Sequence, residues 1–349
     1  MTPSHSSPIS AAAMILSIMA SSSGSRGPAL VVVGEFFLDL IFYALPDLPR
    51  LGEEVKTRHF AQLPGGGLAT TSLVATRLGT STAAIARVGE DARSSPAWRS
   101  LEENQVFVGA CEFSPSLPTA RTVCAAFNGD RMMITHDVIN QHLEKLLSRP
   151  AVRQALQRAK HVHLACALWP IAPWLVWIKR LRAQGLSVSA DIGWNPEMFK
   201  SPGLPRLLQT LDFLFPNEVE ARAITGEKTT ERALKKLAEW MPRSLIKLGQ
   251  AGSIASQDGK VMRVAPLRVR SMDATGAGDA FNGGFLHGYL AGWDLEDCLR
   301  AGNVCGALAT TGAGGSSVLP SAVKLQKLMG RLKTVSQLAP ARRHRRTIQ

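Results

Sequence analysis

The stretch Asp273-Ala-Thr-Gly-Ala-Gly-Asp279-Ala-Phe281 holds the residues best suited to chemistry. Gly276, Ala277 and Gly278 make a turn of small residues directly ahead of Asp279–Ala291, an apolar run that reads as a helix. Backbone N–H groups at a helix N-terminus bind anions, and glycines let a phosphate approach the backbone. Asp279, at the helix start, is placed to accept a proton from an attacking hydroxyl. The helix terminus favours its charged form, so the sequence predicts a weak base. Phosphoryl transfer tolerates this, because its catalysis is mostly positioning and charge stabilisation. The same residues also fit a plain capped helix behind a glycine turn. The helix itself weighs against that: Gly283, Gly284 and Gly288 each cost up to about 1 kcal/mol against Ala in a helix interior. Such a helix predicts close approach by another backbone or by a ligand.

Other stretches add candidates. In Asn217-Glu-Val-Glu220, a carboxylate at a strand's C-terminal end can hold hydrated Mg²⁺ through water, or acidic residues can complement a helix dipole. Asp39, in Gly34-Glu-Phe-Phe-Leu-Asp39, ends an apolar run and is placed for a bidentate contact to hydroxyls. Gly65-Gly66-Gly67 opens a helix-like stretch, and Lys247-Leu-Gly249-Gln-Ala-Gly252 is a glycine turn after a strand. No Walker A loop is present. A Rossmann fingerprint needs a third glycine where Phe281 stands, and needs it early in the chain.

These residues must be positioned by the elements around them. Leu30–Gly34, Ala83–Val88, His161–Leu168, Leu186–Ile192, Leu211–Phe215 and Ser244–Leu248 read as short buried strands. Leu68–Leu78, Ile171–Gln184 and Glu231–Trp240 read as helices, the first two ended by Gly79 and Gly185. Such alternation implies an α/β fold, a parallel sheet with helices on both faces. One region breaks it. Arg121–Phe127 and Asp130–His136 flank Asn128-Gly129, a strong hairpin signal because a type I′ turn needs positive φ twice. Gly52–Leu63 is also strand-like, so a small β lid is expected from about 40–63 and 117–137. Its exposed strands could pair between subunits and give a homodimer.

On these motifs the chain resembles the PfkB/ribokinase family of carbohydrate kinases, from about Val31 to Pro320. Asp273–Phe281 is similar to the family signature D-T-x-G-A-G-D-x-F, with Ala274 at the common Thr. The resemblance implies a three-layer α/β/α fold with a mostly parallel central sheet and a small β lid, using ATP and Mg²⁺. It implies Asp279 as catalytic base and Gly276, Ala277 and Gly278 as an anion hole. Asn217 and Glu220 would serve phosphate and Mg²⁺, the latter through water. Gly249 and Gly252 would form the nucleotide-side loop, with Asn303 on the helix flanking the adenine. Asp39, Gly65 and Gly66 would meet the sugar. Asp273 and Thr275, with carbonyls near 312–316, would hold K⁺. Ribokinases carry Asn where Phe37 stands, Lys at Gly67 and Asn at Thr70. Losing those polar groups argues against ribose as the acceptor. A nucleoside kinase and a catalytically silent sugar-binding regulator are the alternatives; the retained Asp279 argues against the regulator.

Composition sets outer bounds. The chain has 349 residues, 45% hydrophobic, with Lys+Arg 40 against Asp+Glu 27 and a net charge of +13. That is ample for a large core and excludes disorder throughout. The expected division is an extension over 1–28, a kinase domain over 29–330 and a basic tail over 331–349. Four arginines sit in Ala341–Gln349, and the rest of the charge is spread without any nucleic-acid-binding signature. No nucleic-acid or membrane partner is expected. Cysteines at 111, 124, 166, 298 and 305 show no C-x-x-C pair, which fits a reducing, cytoplasmic setting. The apolar run 11–20 lacks the basic flank of a signal peptide. His161 and His163 share a strand face like paired ligands, yet no third ligand accompanies them, so they read as structural.

Overall fold

Leu30–Gly34 is buried at every position, as expected of a strand covered on both faces. The computed structural model describes residues 27–127, 130–312 and 314–332. The extension, the Asn128-Gly129 turn, Ala313 and the basic tail lie outside the described residues, apart from short stretches at the domain edges. In chain order the strands are β1 (Leu30–Gly34), β2 (Phe37–Phe42), β3 (Phe60–Gly65), β4 (Thr82–Ile85), β5 (Arg87–Gly89), β6 (Glu112–Ser114) and β7 (Ala120–Phe127). They continue with β8 (Asp130–His136), β9 (His161–Ala165), β10 (Ser187–Asp191), β11 (Phe213–Leu214), β12 (Arg243–Lys247), β13 (Ser253–Gln257) and β14 (Lys260–Val264). The helices that bear on the site are α1 (Gly66–Arg77), α2 (Ile171–Ala183), α3 (Glu218–Thr225), α4 (Thr230–Trp240), α5 (Ala277–Leu290) and α6 (Leu295–Ala309).

The central sheet runs β11-β10-β9-β1-β4, with every pairing parallel. A parallel bridge between Asn217 and Lys247 brings the antiparallel sheet β12-β13-β14 alongside it. Side chains of β1 alternate between two cores. Val31 and Val33 pack with Trp174 and Ile178 of α2; Leu30 and Val32 pack with Leu73 of α1 and Phe285 of α5. The result is helix, sheet, helix, as the sequence predicts.

Helix α5 lies between α1 and α6, and its glycines explain how closely. A Cβ on Gly283 would sit 2.8 Å from the carbonyl oxygen of Thr71, and one on Gly284 would sit 2.8 Å from that of Ala301. The close approach anticipated from the glycines is therefore by two neighbouring backbones.

A separate sheet, β3-β2-β7-β8, draws on the stretches where the sequence places a lid. Only Phe60–Gly65 of the first strand-like stretch forms a strand, while residues 52–59 are irregular. The hairpin β7–β8 is antiparallel, whereas β2 and β7 run parallel. Phe37, Asp39 and Ile41 share one face of β2, and Leu38, Leu40 and Phe42 share the other.

His161 and His163 are fully buried and spent on serines: His161 Nδ1 to Ser187 Oγ at 2.7 Å, and His161 Nε2 and His163 Nδ1 to Ser189 Oγ at 2.7 and 2.8 Å. Burial pulls both rings below the usual imidazole range. No cluster of metal-ligating side chains occurs among the described residues. All five cysteines are buried. No helix among the described residues is long and apolar enough to cross a membrane.

Candidate active site

The C-terminal ends of β1, β10 and β12 deliver Glu35, Asp191 and Lys247 to one rim of the sheet, where ligands bind in open α/β folds. The N-terminus of α5 enters beside them. It begins two residues earlier than the sequence predicts, with Gly276 as N-cap in a left-handed conformation, φ 68°. A side chain there would meet Gly315 Cα at 2.5 Å, so glycine is required on both counts. The first bond closing within the helix is Ala280 N–H to Gly276 O at 2.8 Å. Ala277 N–H reaches Ala274 O at a long 3.3 Å. Gly278 follows in the first turn, where N–H groups have no helical acceptor.

Asp279 is thus the third helical residue rather than its cap. The expectation of a weak base is overturned. Burial, then the charge of Asp191, pushes its carboxyl up to about 7, although Lys247 pulls the other way. The helix terminus is outweighed because carboxylates crowd the site: Glu220 and Asp39 also raise it.

The glycines at the start of α1 are what let two acids approach. A Cβ on Gly65 would overlap the carboxyl group of Asp39. A Cβ on Gly67 would lie 2.9 Å from Asp279 Oδ1 and 3.3 Å from Ala165 Cβ. Between them Gly66, with φ 83°, packs against the Glu35 carbonyl and the Phe37 ring. Burial pushes Asp39 up to about 6, with the Thr122 hydroxyl opposing and the charge of Asp273 adding. Glu35 is raised to about 7 by burial and then by Asp137. Thr70, Phe37 and Gly67 stand where ribokinases carry polar groups, and Thr70 is 3% exposed.

Asn217 and Glu220 form a reciprocal capping box on α3: Asn217 Oδ1 accepts from Glu220 N–H at 2.9 Å, and Glu220 Oε2 accepts from Asn217 N–H at 2.9 Å. The dipole-complementing role is therefore realised. Glu220 also lies in the field of the site, since burial and then Asp191 raise its carboxyl. Gly249 and Gly252 both have positive φ, 54° and 89°, as the tight turn after β12 demands. Asn303 donates from Nδ2 to the carbonyls of Val264 and Ala265, both at 3.1 Å, tying α6 to the end of β14. Asp273 is a loop clasp: Oδ1 accepts from Thr275 N–H at 2.8 Å and Thr275 Oγ1 at 2.6 Å, and Oδ2 from Gly314 N–H at 2.8 Å.

Sequence reasoning missed a buried trio. Lys247 Nζ is 2.7 Å from Asp191 Oδ2, and Asn282 Nδ2 donates to the same oxygen at 2.7 Å. Burial pushes Asp191 up, but Lys247 and these hydrogen bonds outweigh it and hold the carboxyl below its usual range. The available signal was a charged residue at the end of each of two buried strands. Trp194, beyond the end of β10, is 59% exposed and meets Phe199 edge-on.

Comparison with known proteins agrees with the fold. A family model described as pfkB family carbohydrate kinase matches residues 28–322. A nucleoside kinase of Methanothermobacter thermautotrophicus is 27% identical over 302 residues, 83% of this chain and 92% of that protein. A ribokinase of Haemophilus influenzae is 24% identical over 84% of this chain and 95% of its own. Among solved structures, Arabidopsis thaliana ribokinase complexed with ribose and ATP is 25% identical, with a TM-score of 0.75 over 87% of this chain and 99% of that one. A putative ribokinase II from E. coli, in complex with ATP and Mg²⁺, has a TM-score of 0.75 at 21% identity over 87% and 99%. A Vibrio cholerae fructokinase double mutant with fructose, ADP and potassium bound has a TM-score of 0.70 at 24% identity over 88% and 100%.

Proposed function

The chain belongs to the pfkB family of carbohydrate kinases, and we propose that it transfers the γ-phosphoryl group of ATP to a hydroxyl of a sugar or sugar derivative. The observation that carries this is the pairing of Asp39 and Asp279 across Gly65–Gly67. Asp39 holds acceptor hydroxyls. Asp279 takes the proton of the attacking hydroxyl, and a carboxyl near 7 suits a base at neutral pH. The amides of 276–278 bear charge on the transferring phosphoryl group. The turn of Gly249 and Gly252, with the strand end pinned by Asn303, forms the nucleotide side.

Asp191, Glu220 and Asp279 face one lysine, so the acids outnumber the cation; they form no direct ligand cluster, and the set suits a hydrated divalent ion met through water. Glu220 would hold Mg²⁺ through water; when bound, the ion neutralises charge developing on the phosphates. K⁺ near Asp273 and Thr275 would brace the junction of the 273–276 and 314–315 loops.

A nucleoside acceptor is the second reading. Phe37 favours it: its ring edge lies 2.9 Å from a Cβ placed on Gly66, on the same strand face as Asp39, where a base could stack. A homodimer through the lid sheet is also proposed. The face of that sheet opposite Asp39 exposes Phe42, Phe60, Val123, Met132 and Ile134 together, an apolar patch of the kind that marks an interface.

The test is ADP release with ATP and Mg²⁺ across hexoses, pentoses, keto-deoxy acids, sugar phosphates and nucleosides. Turnover with at least one neutral sugar or nucleoside is expected. No turnover above background with any acceptor would overturn the reading. Asp279→Asn is expected to lose about 10²–10⁴-fold in kcat while still binding ATP.

A further inference from the structure

Lys247 has no part in the roles assigned above, yet it is the cation facing the acids of the site. Its side chain is 12% exposed and that of Asp191 is 13%. Burial lowers its affinity for a proton, but Asp191, Asp279 and Glu220 more than compensate, so the ammonium is held firmly charged. Asp191 fixes its position. Asp191 Oδ2 is in turn fixed by Asn282, which is fully buried one turn after Asp279, and whose Oδ1 has no partner. The backbone of Lys247 is anchored as well, its N–H bonding Pro216 O at 2.9 Å.

The ammonium is delivered to one place. A Cβ on Gly278 would lie 3.0 Å from Lys247 Nζ. A side chain at 278 would crowd the ammonium, and the bare glycine leaves it beside the first-turn amides of α5. An ammonium has three donors, and Asp191 uses one.

We propose that Lys247 supplies the fixed positive charge that completes the anion hole, stabilising the phosphoryl group in flight, and that Asp191 and Asn282 are positioning residues for it. This rests on the phosphotransfer reading. The acceptor oxygen forms a bond to the γ-phosphorus as the bond from that phosphorus to the bridging oxygen breaks. ADP leaves with the bridging electron pair, and the acceptor proton passes to Asp279. Lys247 stays protonated throughout, and its contact strengthens as charge shifts on the equatorial oxygens.

The experiment uses an acceptor that the wild-type protein turns over; failure to find one counts against the kinase reading and not against this proposal. K247M leaves Asp191 buried without its cation, so the double variant D191N/K247M, which removes both charges, is measured beside it. Both are expected to lose about 10²-fold in kcat, with KM for ATP and for the acceptor within about threefold, the signature of an interaction made in the transition state. Charge-retaining K247R is expected to exceed K247M by about tenfold. D191N alone, with the lysine present but unanchored, is expected to lose about tenfold in kcat, the order of a positioning effect. Wild-type kcat in the double variant overturns the proposal. So does a loss confined to KM for ATP, which would make Lys247 a ground-state binding residue. A thermal melt of the double variant at the wild-type temperature excludes misfolding as the cause of lost turnover.

Discussion

The carboxyl group of Asp39 fills the space that a side chain on Gly65 would need. The two residues are directly joined through the pairing of β2 and β3, in which Asp39 sits opposite Leu63, two residues from Gly65. Asp39 and the start of α1 are thus fitted to each other.

Gly65→Ala should therefore push Asp39 out of place without touching the nucleotide side. A displacement of about 1 Å can cost about 10²-fold in rate, and that loss is expected in kcat/KM for the acceptor. ATP affinity, followed by calorimetry, should stay at the wild-type value. Equal loss of both would mean that the glycine serves the fold rather than Asp39.

Asp279 gives the pH dependence its sign. With its carboxyl raised to about 7, the base is increasingly protonated as pH falls, so kcat/KM should drop on the acid side of about 7. Stability runs the other way. The native state keeps a proton that the unfolded chain releases from about 3.8 upward, so stability present below that value is lost as pH rises towards about 7. Asp279→Asn cannot ionise, and should melt a few degrees above wild type at pH 8, losing that advantage towards pH 4. A variant that melts at the wild-type temperature at pH 8 would show that the carboxyl is not held in this way.

The capping role of Glu220 and the role proposed for it toward Mg²⁺ can be separated by one substitution. Gln also completes a capping box, so Glu220→Gln should melt as wild type while needing several-fold more Mg²⁺ for half-maximal rate. Asn217→Ala should instead lose about 1 kcal/mol of stability through the broken cap. An unchanged Mg²⁺ requirement in Glu220→Gln would confine Glu220 to capping.

Ile134, on the edge strand β8 opposite Val123, is 69% exposed, the most exposed residue of the apolar patch on the lid sheet. Ile134→Lys should turn a dimer into a monomer in light scattering. A wild-type chain that is monomeric at micromolar concentration would remove the lid interface altogether.

Much of this was legible from the residues. The buried strand Leu30–Gly34 and the hairpin stretches around 128–129 carry local signals and occur where their patterns indicate, whereas the glycine turn ahead of Asp279 was legible with its helix start misplaced by two residues. The helix glycines at 283 and 284 also reported close packing correctly, though not which neighbours supplied it. What stayed hidden was long-range. Lys247 and Asp191 are 56 residues apart and meet only because β12 joins the sheet rim at Asn217. The raised carboxyl of Asp279 was unreadable for the same reason: its causes are burial in the folded chain, first, and then the charges of Asp191, Glu220 and Asp39 brought in from three other elements. Local reasoning weighed the helix end alone and obtained the wrong sign.

The first three residues around the start of α1 have a metrical consequence. Gly65 bears on the carboxyl of Asp39 and Gly67 on that of Asp279, so a stretch of backbone two residues long spans the proposed grip on the acceptor and the proposed point of its deprotonation. Two residues of chain extend at most about 7 Å. On the proposed roles the two acids would act as the jaws of a caliper whose reach is bounded by main chain. Such a caliper would gauge acceptors by the separation between the hydroxyls they offer, while positions such as Phe37 would vary what lies beyond the jaws.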